Sequence, residues 1–212
     1  MRNFDLGQVA ITFVVFLFST SCHEAAHAAM ANWWGDSTGK DAGQLTLNPL
    51  PHIQREPWGM VVFPLVMLLA GGMLMGWAST PVNPSKMRNV RWGDFWTSAA
   101  GPLTNVLLIF VFFALSKIVR SPIGASLGEF QNATVQFLWV GVMLNIILAI
   151  LNLIPIPPLD GGNMMSNLLP YQAAQAYNQI RPFGFYILIA MMFTGVFSSI
   201  VSPIISWARQ LL

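Results

Sequence analysis

Two histidines and a glutamate stand inside an apolar run, where a lipid environment would penalise them. Val9 to Phe18 is aliphatic or Phe apart from Thr12. It leads into Ser19-Thr20-Ser21-Cys22-His23-Glu24-Ala25-Ala26-His27, and Ala28 to Ala31 follow before a break at Trp33-Trp34-Gly35. The run is long enough to cross a bilayer. Ionisable groups at that depth are costly unless paired or metal-bound, so they mark function by default. On a helix, His23 and His27 are one turn apart and face the same way. That is the zinc-chelating spacing H-E-x-x-H, with Glu24 beside the metal as general base. The plainer reading is a pair of polar residues satisfied inside a helix bundle. A third ligand decides between the two.

Of 212 residues, 55% are hydrophobic and 8% charged, against roughly 25% charged in an ordinary soluble domain. With a mean hydropathy of +0.59, the chain reads as an integral membrane protein. Its net charge of +2 comes from scattered basic residues. No basic stripe is present, so no nucleic-acid partner is expected. The lone Cys22 rules out an internal disulfide framework. Neighbours on a helix point apart, so Cys22 reads as a small buried residue and not as a ligand beside His23. Met1 to Cys22 superficially resembles a signal peptide. However, Arg2 and Asp5 cancel, and the apolar stretch continues past Cys22, so a retained span is the better reading.

Five apolar blocks are visible, at about 8–32, 58–78, 95–118, 134–154 and 183–208. Each approaches or exceeds the roughly 17–25 residues a spanning helix needs. No loop is long enough for a separate soluble domain. The expected fold is an all-α polytopic membrane protein, one domain over 1–212 with about four spanning helices. The second block differs. Pro64 suggests a kink, Gly71-Gly72 and Gly76 interrupt the helix, and Trp77 to Pro84 reads as extended chain, since residues before proline avoid the α region. Residues 58–84 are therefore expected to form a re-entrant hairpin of helix and extended return. Non-helical backbone at that depth is allowed only where it lines a cavity or packs on protein.

Depth supplies an independent argument. His23 and His27 lie in the second half of the first block, and the third ligand must reach the same level. Asp160 is the only acidic residue after Glu129, and it closes the stretch that leaves the fourth block. If the second block crosses fully, Asp160 ends on the wrong side; if it re-enters, Asp160 returns to the level of His27. The re-entrant arrangement puts Lys40, Arg55, Lys86, Arg88, Arg91 and Arg181 on the catalytic side, six of the ten basic residues. The positive-inside rule then sets the N-terminus outside and the site near the cytosolic face. The alternative to His23, His27 and Asp160 as three ligands is Asp160 as a helix cap, with Gly161-Gly162 as a turn.

These residues carry a family resemblance. The chain resembles the site-2 protease family of intramembrane zinc metalloproteases, in the form of its short prokaryotic members. His23-Glu24-Ala25-Ala26-His27 matches the family's H-E-x-x-H span, and Asn152 to Gly161 its N-x-x-P…L-D-G motif, whose aspartate is the third ligand. Ala100-Gly101-Pro102-Leu103-Thr104-Asn105 is similar to its A-G-P-x-x-N element. The resemblance implies one Zn2+ per chain held by His23, His27 and Asp160, with Glu24 as catalytic base. It implies hydrolysis of peptide bonds in or near transmembrane segments of membrane-protein substrates, in the inner membrane of a prokaryote. Carried over with it, Asn152 would contact the substrate backbone or the oxyanion, and Asn105 shares that assignment. For both, an interhelical hydrogen bond is the alternative, and for Asn145 it is the preferred one. Gly101-Pro102 reads as a point of close helix approach.

His52 is expected to be a hydrogen-bonded loop residue, because a fourth protein ligand would close a catalytic zinc site. Gln54-Arg55-Glu56 and Gly76 to Pro81 depart from the form expected of short relatives, which touches loops that could guide substrate. No PDZ-like or nucleotide-sensing segment is recognisable, so regulation of that kind would need a partner. A different class of function is a zinc-binding transporter, chaperone or scaffold without proteolysis. An intact Glu24 favours the enzyme, since a carrier needs no general base.

Overall fold

The computed structural model describes residues 5–70 and 74–211. Asp5 caps the first helix, α1 (Leu6–Trp34), accepting from the N–H groups of Gly7 and Gln8. The helix stops where Gly35 takes a left-handed φ of 109°, a conformation glycine adopts without steric cost. Two short helices follow, α2 (Thr38–Asp41) and α3 (Pro49–Arg55). A wide π turn over Trp58–Val62 then runs into α4 (Phe63–Leu69). Asn89 caps α5 (Val90–Arg120), and α6 (Phe130–Leu153) packs along it. The remainder is α7 (Asp160–Leu168), α8 (Tyr171–Asn178), α9 (Gly184–Phe193) and α10 (Val196–Leu211). No strand occurs among the described residues. The chain is an all-α membrane protein.

Among the described residues, three helices, α1, α5 and α6, are long and apolar enough to cross a membrane. On α5 the usual soluble pattern is inverted. Leu103, Leu107, Phe110, Leu115 and Ile118 are exposed, while Gly101, Asn105 and Ser116 face inward with Leu108 and Phe112. Large apolar side chains outside and small or polar ones inside suit a lipid solvent, where helices associate through close packing and hydrogen bonds. The packing is close enough that a Cβ on Gly141 of α6 would sit 2.5 Å from the Phe112 ring.

The expected single helix over 183–208 is two. Helix α9 ends at Phe193, Gly195 takes φ 77°, and the run Tyr171–Phe193 meets α10 at 62°. The Thr194 hydroxyl donates to Ala190 C=O (2.7 Å), which satisfies a carbonyl at the break. With the bent pair taken as one span, the helices number four.

In the second block, the helical run Trp58–Leu69 is about 18 Å long at 1.5 Å per residue, well short of the roughly 30 Å hydrocarbon core. The glycine turn expected at Gly71-Gly72 lies outside the described residues. Residues 74–83 return without helix, and Trp77 N–H donates to Gly59 C=O (3.1 Å). Only glycines fit this contact: a Cβ on Gly59 would lie 2.2 Å from Trp77 O, and one on Gly76 2.6 Å from Gly59 O.

Polar anchors hold the return segment against α1 and α3. The Thr80 hydroxyl donates to Glu24 C=O (3.0 Å), and Arg55 Nε to Ser79 C=O (2.9 Å). Beyond the end of α1, the buried Asp36 accepts from Asn83 N–H (2.6 Å) and from the backbone and hydroxyl of Thr38 (3.0 and 2.5 Å). Burial alone would raise the Asp36 carboxyl. These donors, with Lys86 nearby, hold it below the usual carboxylate range.

Candidate metal centre

Helix α1 presents His23 and His27 on one face, and α7 opens with Asp160 pointing at them. His23 Nε2 lies 3.0 Å from His27 Nε2 and 3.1 Å from Asp160 Oδ2, and His27 Nε2 lies 3.5 Å from the same oxygen. Among the described residues, this is the one group of three metal-ligating side chains that converges. Gly161 and Gly162 do not form a turn but sit in the first turn of α7. A Cβ on either would lie 2.4 Å from backbone atoms of Leu153 or Pro157. Glycine there lets α7 start hard against the exit of α6, and this sets the position of Asp160.

The hydrogen bonds behind the imidazoles fix their protonation. His27 Nδ1 is 2.7 Å from Thr97 C=O; a carbonyl can only accept, so Nδ1 carries the hydrogen. Behind His23 the hydrogen bonds run through two amides. Asn145 Nδ2 donates to Gly141 C=O (2.8 Å) and to Ser19 Oγ (2.9 Å), so Asn145 Oδ1 is the atom facing Asn105. It accepts from Asn105 Nδ2 (2.9 Å), which leaves Asn105 Oδ1 facing His23 Nδ1 at 2.6 Å. His23 Nδ1 therefore also carries the hydrogen. In neutral rings both Nε2 atoms then offer lone pairs, aimed at each other and at a carboxylate oxygen. Three converging lone pairs repel unless a cation lies among them. Two imidazole nitrogens and one carboxylate oxygen could hold a zinc ion and leave its fourth position open.

Of the two roles the sequence leaves open for Asn105, the structure shows the interhelical hydrogen bond, to His23 of α1 and Asn145 of α6. Asn105 is fully buried on the far side of His23, away from the open face, because that face of α5 packs directly on α1. Asn152 lies at the exit of α6 with its amide donating to Leu148 C=O (3.0 Å), and it does line the cavity in front of His23, His27 and Asp160. His52 is elsewhere, its Nε2 bonded to Thr46 C=O (2.9 Å).

That cavity holds about 470 Å³ between α1, the return segment and the start of α7. Glu24 reaches it, 5% exposed, with Oε2 unpartnered. A wall that motif reading misses is the face of α5 carrying Asp94, Thr97 and Ser98. The spacing i, i+3, i+4 was the signal available: a polar stripe on an otherwise apolar helix.

Residues 11–195 match the family model described as Peptidase family M50. The chain belongs to that family. It is 31% identical over 208 residues to the "Putative zinc metalloprotease YwhC" of Bacillus subtilis, covering 98% of this chain and 91% of the relative. It is 25% identical over 206 residues to the "Putative zinc metalloprotease Rip2" of Mycolicibacterium smegmatis, covering 95% and 74%. A shorter match, 39% over 69 residues, joins it to the "Putative zinc metalloprotease MJ0611" of Methanocaldococcus jannaschii, covering 31% and 30%. No solved structure matches the chain. This M50 protein is a zinc metalloprotease of the site-2 protease type, built on membrane helices.

Proposed function

We propose that this M50 protein hydrolyses peptide bonds in or near transmembrane segments of membrane-protein substrates. It would use one zinc per chain held by His23, His27 and Asp160, with Glu24 as general base. The observation that carries the reading is the convergence of two lone-pair-bearing Nε2 atoms and a carboxylate oxygen, beside a cavity that also receives an unpartnered Glu24 oxygen. When bound, zinc supplies Lewis acidity, lowering the pKa of a water and polarising a carbonyl. Glu24 takes the proton of the attacking water and passes it to the leaving amine. Asn152, on the cavity wall, offers a neutral amide to the substrate backbone or the developing oxyanion. The excess of basic residues on the ligand side supports a site near the cytosolic face, with the N-terminus outside.

Removing the metal tests the reading. Chelation should abolish cleavage of a model transmembrane substrate, and about one zinc per chain should restore it. Cleavage by protein shown to be zinc-free would overturn it.

A substrate helix must unwind before its carbonyls can react. The extended Trp77–Val82 segment borders the cavity, and it supports pairing with an unwound substrate as an added strand. Proline substitutions across Trp77–Val82 should cut cleavage while zinc content stays constant. Unchanged cleavage would refute the pairing.

Asn105 and Asn145 act in this reading as positioning residues. They hold His23 in the tautomer that presents Nε2. Asn145→Leu leaves Asn105 free to rotate and should weaken zinc binding by roughly 10–100-fold. Zinc competition with a calibrated chelator reads this directly, and an unchanged affinity would reduce the asparagine pair to packing.

A further inference from the structure

The cavity wall contributed by α5 carries a carboxylate that the hydrolytic step does not use. Asp94 lines the same cavity as Glu24 and Asp160, and no lysine or arginine contributes to that lining. Among the described residues, no lysine or arginine nitrogen lies within 4.0 Å of a carboxylate oxygen; the only such nitrogen–carboxylate contacts are those of Asp160 with the two histidines. Two arginines bond to residues around this wall, and their acceptors are neutral oxygens. Arg91 donates to the carbonyls of Asn167 and Leu168 (2.6 and 2.8 Å), and Arg181 donates to Asn163 Oδ1 (2.8 Å). Asp94 receives one neutral donor, Asn167 Nδ2 at 2.6 Å. The wall also carries Thr97, 3% exposed, whose hydroxyl has no partner. Across the cavity the buried Thr20 hydroxyl is unpartnered too. Buried polar atoms left unpaired in a cavity wall call for a polar occupant.

Resting on the protease reading above, we propose that Asp94 is a specificity-determining residue that selects a substrate with a lysine or arginine close to the scissile bond. The placement fixes where that residue lies. Thr97, whose carbonyl holds His27, marks the level of the metal ligands. Asp94 is three residues nearer the start of α5, about 4.5 Å outward along the helix. An extended substrate advances about 3.3 Å per residue, so the selected side chain sits within about two residues of the cleaved bond, on the side of the α5 N-terminus. Membrane spans commonly carry basic residues at their cytosolic ends. An unpaired carboxylate at the rim attracts such a segment and rejects an acidic one.

The test uses the full chain in lipid nanodiscs and three model transmembrane peptides. The peptides differ only in Lys, Gln or Glu at the second position outward of the bond cut. Binding is read by fluorescence anisotropy on the Glu24→Gln protein, so that it does not depend on turnover. The Lys peptide should bind at least 10-fold tighter than the Glu peptide. Adding Asp94→Asn, which retains an oxygen acceptor for Asn167, should bring that ratio within 2-fold, and adding Asp94→Lys should invert it. Equal binding of the Lys and Glu peptides to protein with Asp94 intact overturns the proposal, as does a preference that survives Asp94→Asn. Cleavage of the same peptides by the Glu24-intact protein separates the two readings. Cleavage without charge preference removes the role of Asp94 and keeps the protease. Charge-selective binding without cleavage of any peptide keeps Asp94 as the selector and removes the protease reading.

Discussion

Glu24→Gln is expected to leave zinc at about one per chain and to lower kcat by about 10²–10⁴-fold, the range seen when general acid–base catalysis is lost. The two halves of this expectation come from different observations. Zinc retention follows because Glu24 is outside the converging set of His23, His27 and Asp160. The rate loss follows because the amide is nearly isosteric with the carboxylate but cannot accept a proton at neutral pH. The substrate meets the same cavity, so KM should move little, the pattern of an interaction made only in the transition state. Metal analysis and steady-state kinetics on one preparation check both halves. Full activity in the variant would remove Glu24 as the base, and loss of zinc would move it into the ligand set.

The order of helices and the polar core of the first block are legible in the sequence because lipid simplifies the problem. A long apolar run has few alternatives to a helix, and His23, Glu24 and His27 inside one are conspicuous. Asp160 is legible for a similar reason: no other acidic residue follows Glu129. The bend at Gly195 is not legible from hydropathy, since apolar residues run on through both of its arms; it depends on one left-handed glycine. Asn105 is harder still. An asparagine on an inward helix face can contact substrate, a neighbouring helix or a ligand, and only the register of α5 against α1 places it behind His23. Asp94 escapes for the opposite reason. Read locally it is an ordinary acid near a helix start, and it becomes a cavity residue only when α7 and the return segment close around it. Side-chain type is thus readable one residue at a time, whereas a role set by helix register is not.

Gly101→Ala should cost the enzyme both zinc affinity and activity, against the sign that helix propensity assigns to it. In an isolated helix interior, Gly to Ala is favourable by about 0.5–1 kcal/mol. Here the added Cβ would lie 2.5 Å from His23 Cε1 and Nε2 and 2.6 Å from His27 Nε2. The rings cannot simply retreat, because Asn105 holds His23 and Thr97 C=O holds His27 through their Nδ1 atoms. Pro102 adds a second penalty, since a Cβ on the preceding residue crowds the proline ring in the helical conformation. Either the Nδ1 bonds break or α5 moves off α1. Both routes displace the two Nε2 lone pairs, and a displacement of about 1 Å can cost about 10²-fold in rate. Zinc affinity and cleavage should fall together. Gly93→Ala on the same helix is the control. Its nearest neighbours are Met87 Sδ at 2.7 Å and Met87 Cβ at 3.1 Å, atoms of one adaptable side chain and of neither imidazole, so zinc affinity should survive there. Equal zinc loss in both variants would assign the effect to the fold of α5; loss confined to Gly101→Ala would assign it to the space occupied by the two imidazoles.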